Sequence, residues 1–265
     1  MNAKGQRTEG RVRAALLQER GNGRLDPEVR SLADELGRRG IPVQFFLDKR
    51  LHRGHVKLHR DVLVAGHIPV VVHALRQLGV EPPPPDDYPQ ALRPWLRRRT
   101  WNSTVGEVVK RLQEGSGEPF FVKPTAALKR FTGRVVESWN DLQVLANAFD
   151  DMRVICSDVV QWRSEHRVYV ANGRIVGTRH YLGDPELSVD VNVVRDAVAA
   201  YQSSGVAPAG YGIDFGVLAT GETALVEVNE GYGLGSYGLD DAAYADLIIS
   251  RWCELASIAS KKVEP

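Results

Sequence analysis

Residues 211–231, YGIDFGVLATGETALVEVNEG, constrain this chain more than any other stretch, because they read as two strands joined by a tight turn. Strand alternation puts Tyr211, Ile213, Phe215 and Val217 on one face and Gly212, Asp214 and Gly216 on the other. The second strand repeats the pattern: Val226 and Val228 take the apolar face, while Glu227 and Asn229, two apart, point to the polar one. A two-residue tip at Thr220-Gly221, or a four-residue loop over 219–222, sets Asp214 opposite Glu227, whereas a three-residue loop would break that pairing. Carboxylates directly opposite in a sheet repel by about 0.2–1 kcal/mol, so a cation belongs between them and removing either acid should spare the fold. Two acids with an amide nearby suit Mg²⁺, which keeps waters and substrate phosphates as its other ligands. Gly212 and Gly216 clear room above the sheet for a ligand or another backbone. The competing reading is a solvated hairpin face, on which acidic residues are ordinary.

The rest of the chain supplies a frame for this hairpin. Strands are predicted over 11–19, 43–47 and 61–65, with helices from Asp26-Pro27 to Gly40 and over 68–78, so the first hundred residues alternate as an open sheet does. The prolines at 82–85 mark a linker. Thr104-x-x-Glu107 is a capping box for a helix to Leu112. Beyond it the pattern is mostly β, over 119–123, 134–136, 153–160, 166–171, 174–181, 211–218 and 224–229, with helices near 138–149, 189–202 and 240–256. At 265 residues, two or three packed subdomains sharing a cleft are expected. The predicted division is a disordered tail over 1–10, an α/β open-sheet unit over 11–100, and two further subdomains over 101–160 and 161–265. The fold class is α/β, with α+β sandwich subdomains. A net charge of +1 excludes a broad electrostatic partner, and 43% hydrophobic residues exclude global disorder. Cys156 and Cys253 are too few for a disulfide framework and read as buried thiols. The first eleven residues carry no apolar h-region, and no stretch reaches the roughly 18 apolar residues of a span, so the cytoplasm is the expected location.

Three other motifs compete for the function. Gly233-x-Gly235-x-x-Gly238, with Glu254 further on, matches a dinucleotide fingerprint, but only residues 255–265 remain for the second parallel strand that such a site needs. A glycine-rich loop closing over substrate is the better reading. His52, His55 and His59 stand among Lys49, Arg50, Lys57 and Arg60, which repel a further cation, so this segment is read as a basic loop. Arg93, Arg97, Arg98 and Arg99, with Trp95 and Trp101, could hold phosphates or an acidic substrate at a subdomain junction or form a solvated face; nucleic acid ranks third. No P-loop, nucleophile elbow or zincin motif occurs.

Taken with its upstream segments, the hairpin resembles ATP-grasp enzymes, specifically amidoligase-like ATP-grasp domain proteins, over roughly residues 90–240. The resemblance implies an ATP-grasp fold preceded by a pre-ATP-grasp domain, and it implies ATP and Mg²⁺ as cofactors. By that likeness Lys123 in PFFVKP contacts phosphate oxygens, and residues 125–133 form a phosphate-covering loop holding Lys129 and Arg130. The adenine hinge falls at residues 158–161, with the Asp158 side chain and Val160, and the ribose acid at Glu165. Arg167 in SEHRVYVANGRIVG would reach phosphate or a substrate carboxylate, and Asp214, Glu227 and Asn229 would be the metal ligands. Several ligases of the superfamily carry an arginine where Gly212 stands, so Arg179 or Arg167 is expected to stabilise the oxyanion in its place. The implied reaction is ligation of a small-molecule or peptide carboxylate to an amine (or thiol) through an acyl phosphate. A small-molecule kinase and a nucleotide-binding module without turnover are the alternatives. No membrane partner is expected, and a homodimer is left open.

Overall fold

The computed structural model describes residues 12–115, 117–125, 131–138, 141 and 150–258. Its first sheet is parallel, with β1 (Ala14–Glu19) between β2 (Val43–Leu47) and β3 (Val62–Ala65). The apolar run AALL suits a central strand of such a sheet, covered on both faces. Helices α1 (Pro27–Arg38) and α3 (Ile68–Gln77) each begin with a proline in the first turn, where the missing N–H has no partner to lose. Between β2 and β3 the segment read as a basic loop opens with a short helix, α2 (Asp48–His52), held by Leu51 in the core.

The chain then crosses a 3-10 turn (Gln90–Trp95) and a strand, β4 (Thr100–Thr104), neither of which the arginine-rich sequence announced. α4 (Val105–Gln113) carries the predicted capping box: the Glu107 N–H donates to Thr104 Oγ1 at 3.2 Å, and the Thr104 N–H to Glu107 Oε2 at 3.0 Å. β4 pairs with β7 (Arg153–Asp158), then β5 (Phe120–Pro124), then β6 (Arg134–Val136), all antiparallel. β7 stops at Asp158, two residues short of the expectation, because Arg99 captures that residue's carboxylate and backbone. The predicted helix over 138–149 lies almost wholly outside the described residues.

A third sheet, in the order β11-β10-β8-β9, is built from β8 (Trp162–Ala171), β9 (Arg174–Gly183), β10 (Gly210–Leu218) and β11 (Thr223–Glu230). One face of it, with Val168, Val170, Tyr211, Ile213 and Phe215, is sealed by Val194, Ala197 and Val198 of α5 (Val191–Ser203). Helix α6 (Asp241–Ser257) sends Leu247, Ile248, Trp252 and Leu255 into a core shared with Leu17 and Leu63 of the first sheet and Leu36 of α1. The opposite face of the third sheet therefore looks toward the junction of all three sheets, and it bears Arg167 and Asp214. Cys156 is buried, which pushes its thiol up to about 12, whereas Cys253 is only half-buried and departs from the expectation. Among the described residues no helix is long and apolar enough to cross a membrane.

Candidate active site

The hairpin reaches the predicted pairing by an unpredicted route. The Leu218 N–H donates to Glu222 O and the Gly221 N–H to Leu218 O, so the tip is three residues, with Gly221 at φ +87°. Val217 accordingly pairs with Thr223, a register that would carry Asp214 past Glu227. One extra residue, Val226, bulges out of β11 between Leu225 and Glu227 and restores the match, so Asp214 does face Glu227. Val226 thereby leaves the apolar face on which it was expected; Leu225 and Val228 fill the core instead. Arg98 holds the bulge, donating to Leu225 O at 2.7 Å and Val226 O at 2.9 Å, so this arginine of the basic run serves the fold. The room above Gly212 and Gly216 is also taken, by Leu234 and Arg167 at the first and by Trp162 at the second.

The facing acids do not confront each other bare, because each has its own cation. Asp214, 1% exposed, accepts two parallel bonds from Arg167, Nε to Oδ1 at 2.8 Å and Nη2 to Oδ2 at 2.7 Å. The two are direct neighbours across β8 and β10. Asn229 Nδ2 adds a bond to Oδ2 at 3.0 Å. Burial lifts the Asp214 carboxyl above the usual range; Arg167 pulls against it, and Glu227 and Glu165 add to the rise. Glu165 accepts from Tyr181 Oη at 2.6 Å, and the same hydroxyl lies 3.5 Å from Asp214 Oδ2, so Tyr181 links the two acids. The expectation that removing Asp214 spares the fold is therefore wrong: it would strand a buried guanidinium.

Lys123 crosses from β5 to the hairpin and bonds Glu227 Oε2 at 2.7 Å, joining the second and third sheets. It also meets Asp87 Oδ2 at 2.6 Å, and its Nζ sits 4.5 Å from the centre of the Tyr88 ring. Burial works against its charge, but the Tyr88 oxygen, Glu227 and Asp87 outweigh that, and the ammonium titrates well above its ordinary value. Asp87 is fixed in turn, since its carbonyl accepts the Val228 N–H at 2.9 Å and so lies along the outer edge of β11. Asp87, Tyr88 and Tyr181 escaped the sequence reading. An acid and an aromatic immediately after four prolines, whose backbone is stiff and extended, were the available signal for the first two.

The remaining predicted residues scatter. Asp158 sits apart on β7, gripped by Arg99 through Nε at 3.0 Å and Nη2 at 2.8 Å, and it lines an open cavity of about 1080 Å³ with Trp101 and Phe120. Val160 follows in the link to β8. Lys129 and Arg130 lie outside the described residues. Arg179 is directly opposite Arg167 across β8 and β9, yet its Nε donates to Gly238 O at 2.9 Å rather than to any acid of the site. That bond anchors the glycine-rich loop, which Tyr169 Oη also ties at Gly235 O, 2.7 Å, and Tyr244 Oη at Leu234 O, 2.8 Å. From this loop Tyr237 stacks on Tyr181 and covers Arg167, 5.3 Å from its guanidinium.

Residues 95–247 match the model of an ATP-grasp domain, family 2 of the R-2-K clade. The chain belongs to that ATP-grasp family. A search of curated proteins gives no match. Among solved structures, a D-alanine–D-alanine ligase from Bacillus anthracis is similar at TM-score 0.57 and 15% identity, covering 92% of this chain and 98% of that one. The macrocyclase MdnC bound with precursor peptide MdnA, from Microcystis aeruginosa MRC, is similar at TM-score 0.55 and 14% identity, covering 89% and 99%. A RimK domain ATP-grasp protein from Sphaerobacter thermophilus DSM 20745 gives 0.54 and 16%, over 89% and 100%. At such identities the likeness is one of fold. As a member of an ATP-grasp family the protein is an enzyme whose cofactors are ATP and Mg²⁺.

Proposed function

We propose that this ATP-grasp enzyme joins a carboxylate, free or on a peptide, to an amine (or thiol) by way of an acyl phosphate, releasing ADP. The observation that carries this reading is the juxtaposition of Asp214 with Glu227 and Asn229 on paired strands, with Lys123 reaching them from the opposing sheet. The donors are all oxygen, the chemistry of Mg²⁺ rather than of zinc. Asn229 spends an amide N–H on Asp214, which leaves its carbonyl oxygen, with the partly exposed Glu227 and the facing Asp214, to meet the ion. Bound there, Mg²⁺ would neutralise charge on the phosphoryl group being moved. Lys123 supplies a permanent positive charge for phosphate oxygens once one of its two acids releases it. Arg167, already neutralised by Asp214, serves that acid first, so the oxyanion role falls to Arg179 at the lip of the glycine loop. Asp158, Val160 and Glu165 remain our candidates for the nucleoside, and Lys129 for the phosphates. The ligase from Bacillus anthracis and the macrocyclase with its precursor peptide support small and peptide carboxylates alike as substrates.

The test is interception of the acyl phosphate. Enzyme, Mg·ATP and hydroxylamine are incubated with a panel of amino acids, dicarboxylates and short peptides, following ADP, phosphate and hydroxamate. Hydroxamate appearing with ADP supports the ligase. ADP with a stable phosphorylated product and no hydroxamate makes the protein a kinase, and tight ATP binding without turnover makes it a sensor; either would overturn the reading. Lys123→Ala should weaken ATP by about tenfold or more while leaving adenosine unchanged, by calorimetry.

A further inference from the structure

The parallel sheet has its own site, on residues no part of the ATP chemistry uses. With the order β2-β1-β3, the chain leaves β1 for β2 on one side and returns to β3 on the other, so the crevice outside the carboxyl ends of β1 and β3 is a topological switch point. The residues there are built into a relay. After β1, Arg20 Nε reaches Asp26 Oδ1 at 2.5 Å; after β3, His67 Nε2 meets Asp26 Oδ2 at 3.0 Å. The carboxylate can only accept, so Nε2 donates to it, and in the neutral ring that bond selects the tautomer whose Nδ1 presents a lone pair. Arg20 holds the Asp26 carboxyl below the usual carboxylate range against the opposing effect of burial, so the acid is ionised at neutral pH. The backbone of His67 is fixed too, its N–H donating to Gln18 Oε1 at 2.8 Å. Gly66 makes that bond possible, since a Cβ there would stand 2.5 Å from Gln18 Oε1. The ring is pinned at both ends of its reach yet its side chain is 53% exposed, as a group that must meet a solute requires.

The crevice adjoins the ligase machinery through one short loop. A Cβ on Gly233 would lie 2.7 Å from Ile68 Cγ1 and 3.6 Å from Gly66 O, so the loop backbone rests on the residues flanking His67. One residue on, Leu234 packs over Gly212, and Tyr237 covers Arg167. The same loop thus covers Arg167 and rests on Gly66 and Ile68, the two residues that flank His67.

We propose that Asp26 and His67 are the proton-accepting dyad of the acceptor half-reaction, an inference that rests on the ligase reading and names the amine as one that arrives as an ammonium ion. His67 Nδ1 takes one proton from R–NH₃⁺, and Asp26 stabilises the imidazolium that results. The freed nitrogen lone pair forms a bond to the acyl carbon; the carbon–oxygen bond to phosphate breaks with its electron pair going to phosphate, which leaves as inorganic phosphate with the second proton. Thiols and hydroxylamine, which need less help at neutral pH, would bypass the dyad.

That bypass supplies the test. Wild type, His67→Gln and Asp26→Asn are compared with Mg·ATP and the carboxylate that yields hydroxamate, using hydroxylamine as one acceptor and methylamine or the twenty amino acids as the others. The dyad predicts hydroxamate formation within about twofold in all three proteins, and amide formation slowed about 10²-fold or more by His67→Gln and less by Asp26→Asn. Amide formation at the wild-type rate in His67→Gln would overturn the proposal. So would a parallel loss of hydroxamate, which marks a folding or binding defect, and so would a wild type that makes hydroxamate but no amide with any acceptor. Absence of hydroxamate from the wild type would instead remove the ligase reading beneath it.

Discussion

Replacing Asp214 with Asn would leave Arg167 charged, buried and short of the partner that receives two of its N–H groups. Breaking one side of a buried pair costs about 3–5 kcal/mol, far above the roughly 0.2–1 kcal/mol gained by separating two facing acids. Asp214→Asn should therefore lower the urea-unfolding free energy by several kcal/mol, whereas Glu227→Gln, whose side chain is 31% exposed, should lower it by about 1 kcal/mol or less. Equal and small losses would mean that the Arg167 pair is not what holds this face. At this scale the sequence told which residues point inward, Val226 excepted, because alternation along 211–229 is local. It could not tell which cation meets which acid. Asp214 and Arg167 are 47 residues apart and Lys123 and Glu227 are 104 apart, and nothing along the chain between them encodes the meeting.

Among elements, the hairpin shows why a correct pairing can follow from an incorrect turn. Loop length was not legible, since Ala219, Thr220, Gly221 and Glu222 suit tips of two, three or four residues equally well. The bulge was hidden because Val226 is apolar and looks like a core residue; only the carbonyls it leaves turned outward, and the arginine that collects them, reveal it. β4 was missed for a related reason, since its TWNST sequence carries no apolar alternation and its pairing with β7 is entirely tertiary. Arg98→Met should leave Leu225 O and Val226 O short of a donor, costing about 1–3 kcal/mol in urea unfolding. It should also weaken Mg·ATP binding in calorimetry, though Arg98 touches no acid of the site. Loss of stability with nucleotide affinity unchanged would detach the bulge from the site's geometry.

For the whole molecule, the first sheet and the last helix form one body, and charge as well as apolar packing closes it. Glu35 on α1 accepts from Arg39 and Arg38, which in turn bond Asp246 and Asp241 of α6. The Arg39 bond first, then that from Arg38, holds the Glu35 carboxyl below its ordinary value. A depressed carboxyl stabilises the fold above its unfolded-state pKa, about 4.3, and that contribution is lost as pH falls through the folded value. Glu35→Gln should consequently flatten the acid limb of the stability curve, with urea midpoints of mutant and wild type diverging at pH 7 and converging near pH 3. Parallel curves across that range would show that the clamp adds nothing. The alternation of β and α in the first hundred residues made this sheet readable, but its closure by a helix near the other end of the chain was not, because α6 shows only an apolar helix with no address.

The three-residue tip and the Val226 bulge are, in the language of sequence comparison, an insertion and a deletion that cancel within eight positions. Any relative whose hairpin turns on two or four residues has no need of the bulge, and an ungapped alignment that keeps Asp214 and Glu227 in their columns leaves residues 222–225 one place out of step with their structural counterparts. Grafting a shorter turn onto this hairpin is subject to the same arithmetic: the tip and the bulge can be exchanged together, but neither alone.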